Sequence, residues 1–222
     1  MAKLKIYTFP DLVLTRRAAP ISRVEKSMYQ IADDMLETMY DAPGIGLAAN
    51  QVGLLQRILV VDVDYDMEEL PEEEEGATST SGGGEVTSGP IITNKKPLII
   101  INPEIIYKEG ESSIAEGCLS VPDFRAEVPR FEKIKLRYQG MDGLSHELSA
   151  DGLLSICLQH EMDHLDGKLF IDRLSPLKKE RAKKKLKAER QLKDIEDAEM
   201  KSGSKLSSSS ARELKKRAKK DF

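Results

Sequence analysis

Apolar residues at Val24, Met28, Ile31, Met35 and Met39 recur at spacings of three and four. That period predicts an amphipathic helix over residues 21–40, preceded by Pro20 and ended by Asp41-Ala-Pro-Gly44. The pattern then changes. Residues 57–63 hold the unbroken run Ile-Leu-Val-Val, which predicts a buried strand, and strand character returns at 98–101. Asn102-Pro103 reads as a break before a further strand at 104–107, and 116–122 reads as a short strand bounded by turns. Residues 133–138 alternate as a half-exposed strand should, and Gly140-Met-Asp-Gly143 predicts a hairpin into 145–148. Leu153, Leu154, Ile156, Leu158, Met162 and Leu165 then surround a helix over 150–165, with Ser149 or Asp151 as candidate caps. Apolar nearly all round, that helix should be buried. Residues 177–200 are helical by propensity, but Ala182, Leu186, Leu192 and Ile195 leave only a narrow docking stripe. Short strands interspersed with three helices predict an α+β fold.

Composition changes the picture at two places. Residues 66–96 carry the acidic block Glu72–Glu75 and a Gly/Ser/Thr-rich tract with almost nothing apolar. Such a segment cannot bury enough surface to offset its ordering entropy, which predicts a mobile insertion. The net charge of −4 also hides an asymmetry, because from Leu177 onward 17 Lys and Arg stand against 8 Asp and Glu. An acidic body with a basic tail suggests an anionic partner for the tail. The expected organisation is one catalytic unit over 1–176 and a basic helix with flexible tail over 177–222, with residues 201–210 as a Ser/Gly-rich linker. There is no 18-residue apolar run and no apolar stretch at the N-terminus, so the expected location is cytoplasmic. Two cysteines, Cys118 and Cys157, are too few for a disulfide framework.

Candidate chemistry centres on His160-Glu161-Met162-Asp163-His164. Histidines four apart lie on one helix face, so both imidazoles can reach one metal ion, and Glu161 beside them can handle a proton. Two satisfied core histidines would be the bland alternative. A third ligand could come from Cys118, Cys157 or His146. Cys157 lies roughly 7 Å along the helix axis from the level of the ion, against a metal–sulfur bond of about 2.3 Å. It reads as a wall residue, and His146 sits in a polar strand. Cys118 is the best-placed candidate, with Gly117 letting the chain turn the thiol inward.

Three motifs in order, Gly44-Ile-Gly-Leu-Ala-Ala-Asn-Gln51, Glu116-Gly-Cys-Leu-Ser120 and Gln159-His-Glu-Met-Asp-His164, resemble the signatures of the peptide deformylases, in a form similar to the bacterial type 1 members. The resemblance runs from about residue 4 to about residue 190. It implies a metal-dependent amidase acting on linear amides, which removes the formyl group from N-formylmethionyl nascent chains and releases formate. It also implies mixed, mainly antiparallel sheets packed around a central metal helix. His160, His164 and Cys118 match the family's metal ligands. Glu161 matches its general base and acid, which takes a proton from the attacking metal-bound water and passes it to the leaving amine. Gln51 and the backbone N–H of Leu119 match its oxyanion donors. Gly46 and Leu47 match positions that bind the peptide main chain by strand addition. Ile45, Ile114, Arg125, Leu153, Ile156 and Cys157 correspond to residues around the methionine pocket, and Gly44, Glu116 and Gly117 complete the substrate-contacting set. Packing alone would account for several of these. Arg125 beside an apolar pocket should need a partner.

The resemblance further implies Fe²⁺ as the native ion, with Zn²⁺, Ni²⁺ or Co²⁺ able to replace it. The family's C-terminal helix resembles a ribosome-docking element, for which Lys178, Lys179, Arg181, Lys183, Lys184 and Lys185 would suit RNA phosphates. A monomer is expected. Two rivals stand against this reading. A zinc endopeptidase would want a His or Glu ligand downstream of His164, where 165–170 offer neither. A non-catalytic RNA-associated protein with a structural ion would want four protein ligands, and three can be assembled without strain.

Overall fold

The computed structural model describes residues 2–68 and 91–202. The middle of the acidic insertion, most of the linker and the final basic stretch lie outside the described residues.

A five-stranded antiparallel sheet organises the fold. It is built from β1 (Gly46–Ala48), β2 (Ile58–Val61), β5 (Leu98–Glu109), β8 (Lys133–Gln139) and β9 (Ser145–Asp151), adjacent in that order. Two separate hairpins accompany it: β3 (Asp66–Glu68) with β4 (Ile91–Thr93), and β6 (Ser112–Cys118) with β7 (Val121–Arg130). The helices are α1 (Ser27–Asp41), α2 (Gly152–Leu165) and α3 (Pro176–Ser202). The sheet is apolar on both faces, which is why β2 reads as a continuous run. Ile58 and Val60 point into the cluster under α1, with Met28, Met35 and Met39, whereas Leu59 and Val61 point into the cluster with Leu158 and Leu165 of α2. The α+β architecture with a buried central helix is therefore as expected.

Several boundaries differ, each for a tertiary reason. Helix α1 starts at Ser27 because Ile21 is held outside it: the Ile21 N–H donates to Asn102 Oδ1 at 2.9 Å, and Asn102 Nδ2 donates to the Ile21 carbonyl at 2.7 Å. Asn102-Pro103 does not break the strand but forms a bulge inside β5, with Asn102 at φ 50° and a register shift against β8. Residues 116–122 are not one strand. They straddle the tip of the β6–β7 hairpin, in which Cys118 pairs with Val121. The ends of the insertion are ordered as β3–β4, because Ile92 and Tyr65 find an apolar seat in the cluster beneath α1.

Strand β9 runs straight into α2. Ser149 is within the strand, and Asp151 occupies the helix-cap position without a side-chain cap bond. Gly152 makes the reversal at φ 51°, a conformation that costs a residue with a side chain. Helix α2 is thus fixed along its axis by the β8–β9 register, in which Lys133 opposes Asp151. A third cluster seats α3: Ala182 and Leu186, the first half of the expected stripe, bury against Phe170, Ile171 and Val121, whereas Leu192 and Ile195 lie beyond that cluster and are only half-buried. Lys179 and Lys183 reach Asp172 at 3.1 and 2.9 Å.

Candidate metal centre and cleft

His160 and His164 project from the same face of α2, with their Nε2 atoms 3.2 Å apart. Cys118 Sγ, at the end of β6, lies 3.2 Å from His164 Nε2, and the three donor atoms all fall within 4.8 Å of one another. Two ligands of a tetrahedral ion, each about 2.0–2.3 Å from it, stand roughly 3.3–3.6 Å apart. The donor set and its spacing therefore fit a soft-to-borderline divalent ion. Burial pushes His164 well below the ordinary imidazole range, whereas for His160 burial is outweighed by Cys118 and Glu116 beside it, which raise it; ligation requires both rings neutral. His146 is remote from this cluster and bonds Asp142 on the hairpin tip. Cys157 is buried, and burial pushes its thiol well up; its Sγ contacts the Ile45 carbonyl at 3.5 Å. It is a wall residue.

Behind the donors lies a buried charged network. Glu116 Oε2 accepts from His160 Nδ1 at 2.7 Å, and the Glu116 carboxylate takes both Nε and Nη2 of Arg130 at 2.7 and 2.9 Å. Arg130 Nη1 donates to Asp163 at 2.5 Å, and Asp163 also takes Nε and Nη2 of Arg173 at 2.7 and 2.5 Å. Burial opposes ionisation of Glu116, but the Arg130 and His160 bonds together outweigh it and hold the carboxyl below its ordinary range. Two carboxylates facing two guanidiniums leave the network neutral. Its effect on the site is to fix the His160 ring with Nδ1–H toward Glu116 and Nε2 toward the other donors.

Glu161 is 4% exposed, its Oε2 has no hydrogen-bond partner, and burial pushes its carboxyl up to about 7. It packs directly against β1: a Cβ added at Gly46 would sit 2.6 Å from Glu161 Oε1 and 2.8 Å from Cys157 Sγ. Gln51 folds back so that its Oε1 accepts from the Ala48 N–H at 2.8 Å. Its amide nitrogen is thereby aimed at Cys118 Sγ, 3.6 Å away, and at Ser120 Oγ, 3.2 Å away.

The donors open onto a cleft of about 770 Å³. One wall is 43–46, the other is 114–119, and Leu153, Ile156 and Cys157 form the base. Of the substrate-contacting set expected from sequence, Gly44, Ile45, Gly46, Ile114, Gly117, Arg125, Leu153, Ile156 and Cys157 line it. Three positions need comment. The Leu47 side chain is wholly buried under α1, because alternate residues of β1 face opposite ways, which leaves its main chain as the part expected to meet a peptide. Glu116 reaches the cleft wall, but its carboxylate is spent on His160 and Arg130. Arg125 is exposed at the rim, with its stem against Gly117, so it keeps its hydration and needs no buried partner. Sequence reasoning missed Phe124 and Asp123, which line the cleft from β7, and missed Arg130, Asp163 and Arg173 altogether. A charged Asp163 inside an otherwise apolar helix was the available signal, since it demands a buried cation.

Comparison with known proteins agrees with this geometry. The family model described as polypeptide deformylase matches residues 3–180. The peptide deformylase of Hamiltonella defensa is 44% identical over 197 residues, covering 89% of this chain and 99% of that protein. The crystal structure of a peptide deformylase from Legionella pneumophila superimposes with a TM-score of 0.68 at 37% identity, covering 87% of this chain and 98% of that one. The Ehrlichia chaffeensis peptide deformylase in complex with actinonin gives the same TM-score at 37% identity, covering 85% and 98%. A match over most of the chain, at this identity and with this fold, means that the protein belongs to the polypeptide deformylase family.

Proposed function

We propose that this chain removes the N-formyl group from the N-terminal formylmethionine of newly made polypeptides, releasing formate and a free amine. The observation that carries the reading is the Cys118–His160–His164 donor set opening, beside buried Glu161, onto an apolar cleft.

The cleft binds first. β1 is the edge strand of the five-stranded sheet, so an extended peptide can add along the 44–46 wall by main-chain hydrogen bonds. Ile45, Ile114, Leu153 and Ile156 supply an apolar seat for the methionine side chain. Cys118, His160 and His164 would hold one divalent ion, Fe²⁺ by family resemblance, with Zn²⁺, Ni²⁺ or Co²⁺ as substitutes. Bound there, the ion supplies Lewis acidity that makes water a competent nucleophile near neutral pH.

Glu161 accepts a proton from the attacking water as its oxygen bonds to the formyl carbon. A carboxyl that titrates near 7 can then return that proton to the methionine nitrogen as the C–N bond breaks. Gln51, with its amide nitrogen turned toward Cys118, donates to the oxyanion that develops on the formyl oxygen; the Leu119 N–H is the second donor in this proposal. One such donor contributes roughly 3 kcal/mol of transition-state stabilisation. Closely packed Gly46 and Cys157 keep bulk water from Glu161.

The same reading extends to the surroundings. Helix α3 presents exposed Arg181 and Lys187 off its buried Ala182–Leu186 stripe, with exposed Lys178 one turn before Ala182, cations suited to ribosomal RNA phosphate. The enzyme would act as a cytoplasmic monomer. Among the described residues no helix is long and apolar enough to cross a membrane.

The test is formate release from formyl-Met-Ala-Ser by anaerobically purified protein, alongside Glu161→Ala and Cys118→Ser with metal content quantified. Turnover by wild type, with Glu161→Ala metal-loaded but inactive, supports the assignment. A folded, metal-loaded wild type that releases no formate overturns it.

A further inference from the structure

The 44–45 stretch that forms one wall of the cleft is held by four contacts. The Gly44 N–H donates to the Met39 carbonyl at 2.9 Å, and the Asp62 N–H donates to the Ile45 carbonyl at 2.9 Å. Cys157 Sγ approaches the Ile45 carbonyl at 3.5 Å. The fourth is a side chain from elsewhere: Tyr65 donates its hydroxyl to the Gly44 carbonyl at 3.1 Å. Tyr65 immediately precedes the β3–β4 hairpin that roots the acidic insertion.

That root is itself built into the wall. The Tyr65 ring stands edge-on to Tyr40, with centroids 5.2 Å apart and planes at 89°. Tyr40 donates to Asp62 Oδ2 at 2.6 Å, and the Lys96 N–H, just beyond β4, donates to the same oxygen at 2.8 Å. Both ends of the hairpin therefore converge on Asp62, whose own N–H holds Ile45. The Leu119 side chain from the opposite wall packs against Gly44, with Cδ1 2.8 Å from where a Cβ there would sit, so the Gly44 main chain is in contact with both sides of the cleft.

We infer that Tyr65 is a positioning residue for the peptide: its hydroxyl fixes the main-chain geometry of 44–46 against which residues beyond the formylmethionine add as a strand. It touches neither the donor atoms nor Glu161. Its effect should fall on binding of the peptide chain and spare the chemical step. The inference rests on the deformylase assignment of this cleft.

The experiment compares wild type with Tyr65→Phe on two substrates, formyl-Met-Ala-Ser and formyl-methionine amide, with metal content and thermal unfolding recorded for both proteins. Losing one hydrogen bond that orders a binding edge predicts a rise of about three- to tenfold in KM for the tripeptide, with kcat within about twofold. The amide, which has no residue to add along the edge, should change less than about twofold in either constant. An unchanged tripeptide KM, equal changes for both substrates, or a loss confined to kcat overturns the inference while leaving the deformylase assignment standing. Wild type inactive on both substrates would overturn the assignment and this inference with it.

Discussion

Gly46→Ala is the sharpest probe of the proton-carrying geometry. The substitution adds one methyl group to a strand residue whose backbone alanine can adopt. That methyl would sit 2.6 Å from Glu161 Oε1, 2.9 Å from its carboxyl carbon and 2.8 Å from Cys157 Sγ. Ordinary contact begins at 3.4 Å, so the carboxylate must retreat by roughly 0.8 Å, and a misplacement near 1 Å costs about 10²-fold in rate. Expressed as a barrier, that is about 2.7 kcal/mol. The strand cannot move instead, because β1 is paired along its length with β2, Gly46 opposing Val61. The donors Cys118, His160 and His164 are not touched, so metal content should stay at the wild-type level. Overpacking should lower folding stability by about 1–3 kcal/mol, visible in urea denaturation. The assay is steady-state formate release with metal quantified on the same sample. A kcat within about threefold of wild type at equal metal content would refute the claim that Gly46 exists to make room for Glu161.

Other perturbations separate the remaining parts of the site. Glu116→Ala removes the acceptor that orients His160 and should weaken metal binding about 10- to 100-fold, measured by chelator competition. Arg130→Met strands Glu116 and Asp163 as buried carboxylates facing no guanidinium on that side, and urea denaturation should find a loss of about 3–5 kcal/mol. Asp172→Asn tests a pH dependence. Burial works to raise the Asp172 carboxyl, but the Leu169 N–H together with Lys183 and Lys179 outweighs it, so its folded value lies below the ordinary 3.8. A depressed carboxyl stabilises the fold above its unfolded value and loses that contribution as pH falls through the folded one. The stability gap between wild type and Asp172→Asn, about 0.5–1 kcal/mol for the two partly exposed ion pairs lost while Asn keeps the Leu169 bond, should therefore hold from pH 7 to 5 and close below about pH 4. A gap that stays constant into acid would show that charge is irrelevant there.

What could be read from the chain was whatever is local. His160, Glu161 and His164 share one helix, so their relation follows from helical geometry, and the distance along that helix also disposed of Cys157. The two-sided burial of β2 was legible in its unbroken apolar run. The hidden part depended on register between strands. Arg130 meets Glu116 through the β6–β7 ladder, which pairs Ser112 with Arg130 and runs down to Cys118 opposite Val121. Placing one strand across 116–122 put that turn in the wrong position and concealed Phe124 and Asp123 with it. Asn102 was misread for a related reason. Its backbone looks like a strand end, yet β8 carries the pairing past the bulge and its side chain reaches back to Ile21, 81 residues away, to delay α1. No period in the chain encodes such a contact.

Among the described residues the β6–β7 hairpin belongs to no larger sheet. Two strands alone are marginal in water, so what fastens this hairpin to the body matters. Three polar contacts reach α2: the Arg130–Asp163 pair near one end, and the Glu116–His160 pair and Cys118 beside His164 toward the other. Coordination by Cys118 and His164 would join positions 46 residues apart in the chain, acting as a reversible cross-link. An ion bound there would be a clip as well as a source of Lewis acidity. Loss of metal would loosen the tip of that hairpin, where Cys118 stands, while buried Val121 and Val128 and the Glu116–Arg130–Asp163 network still seat the rest of it.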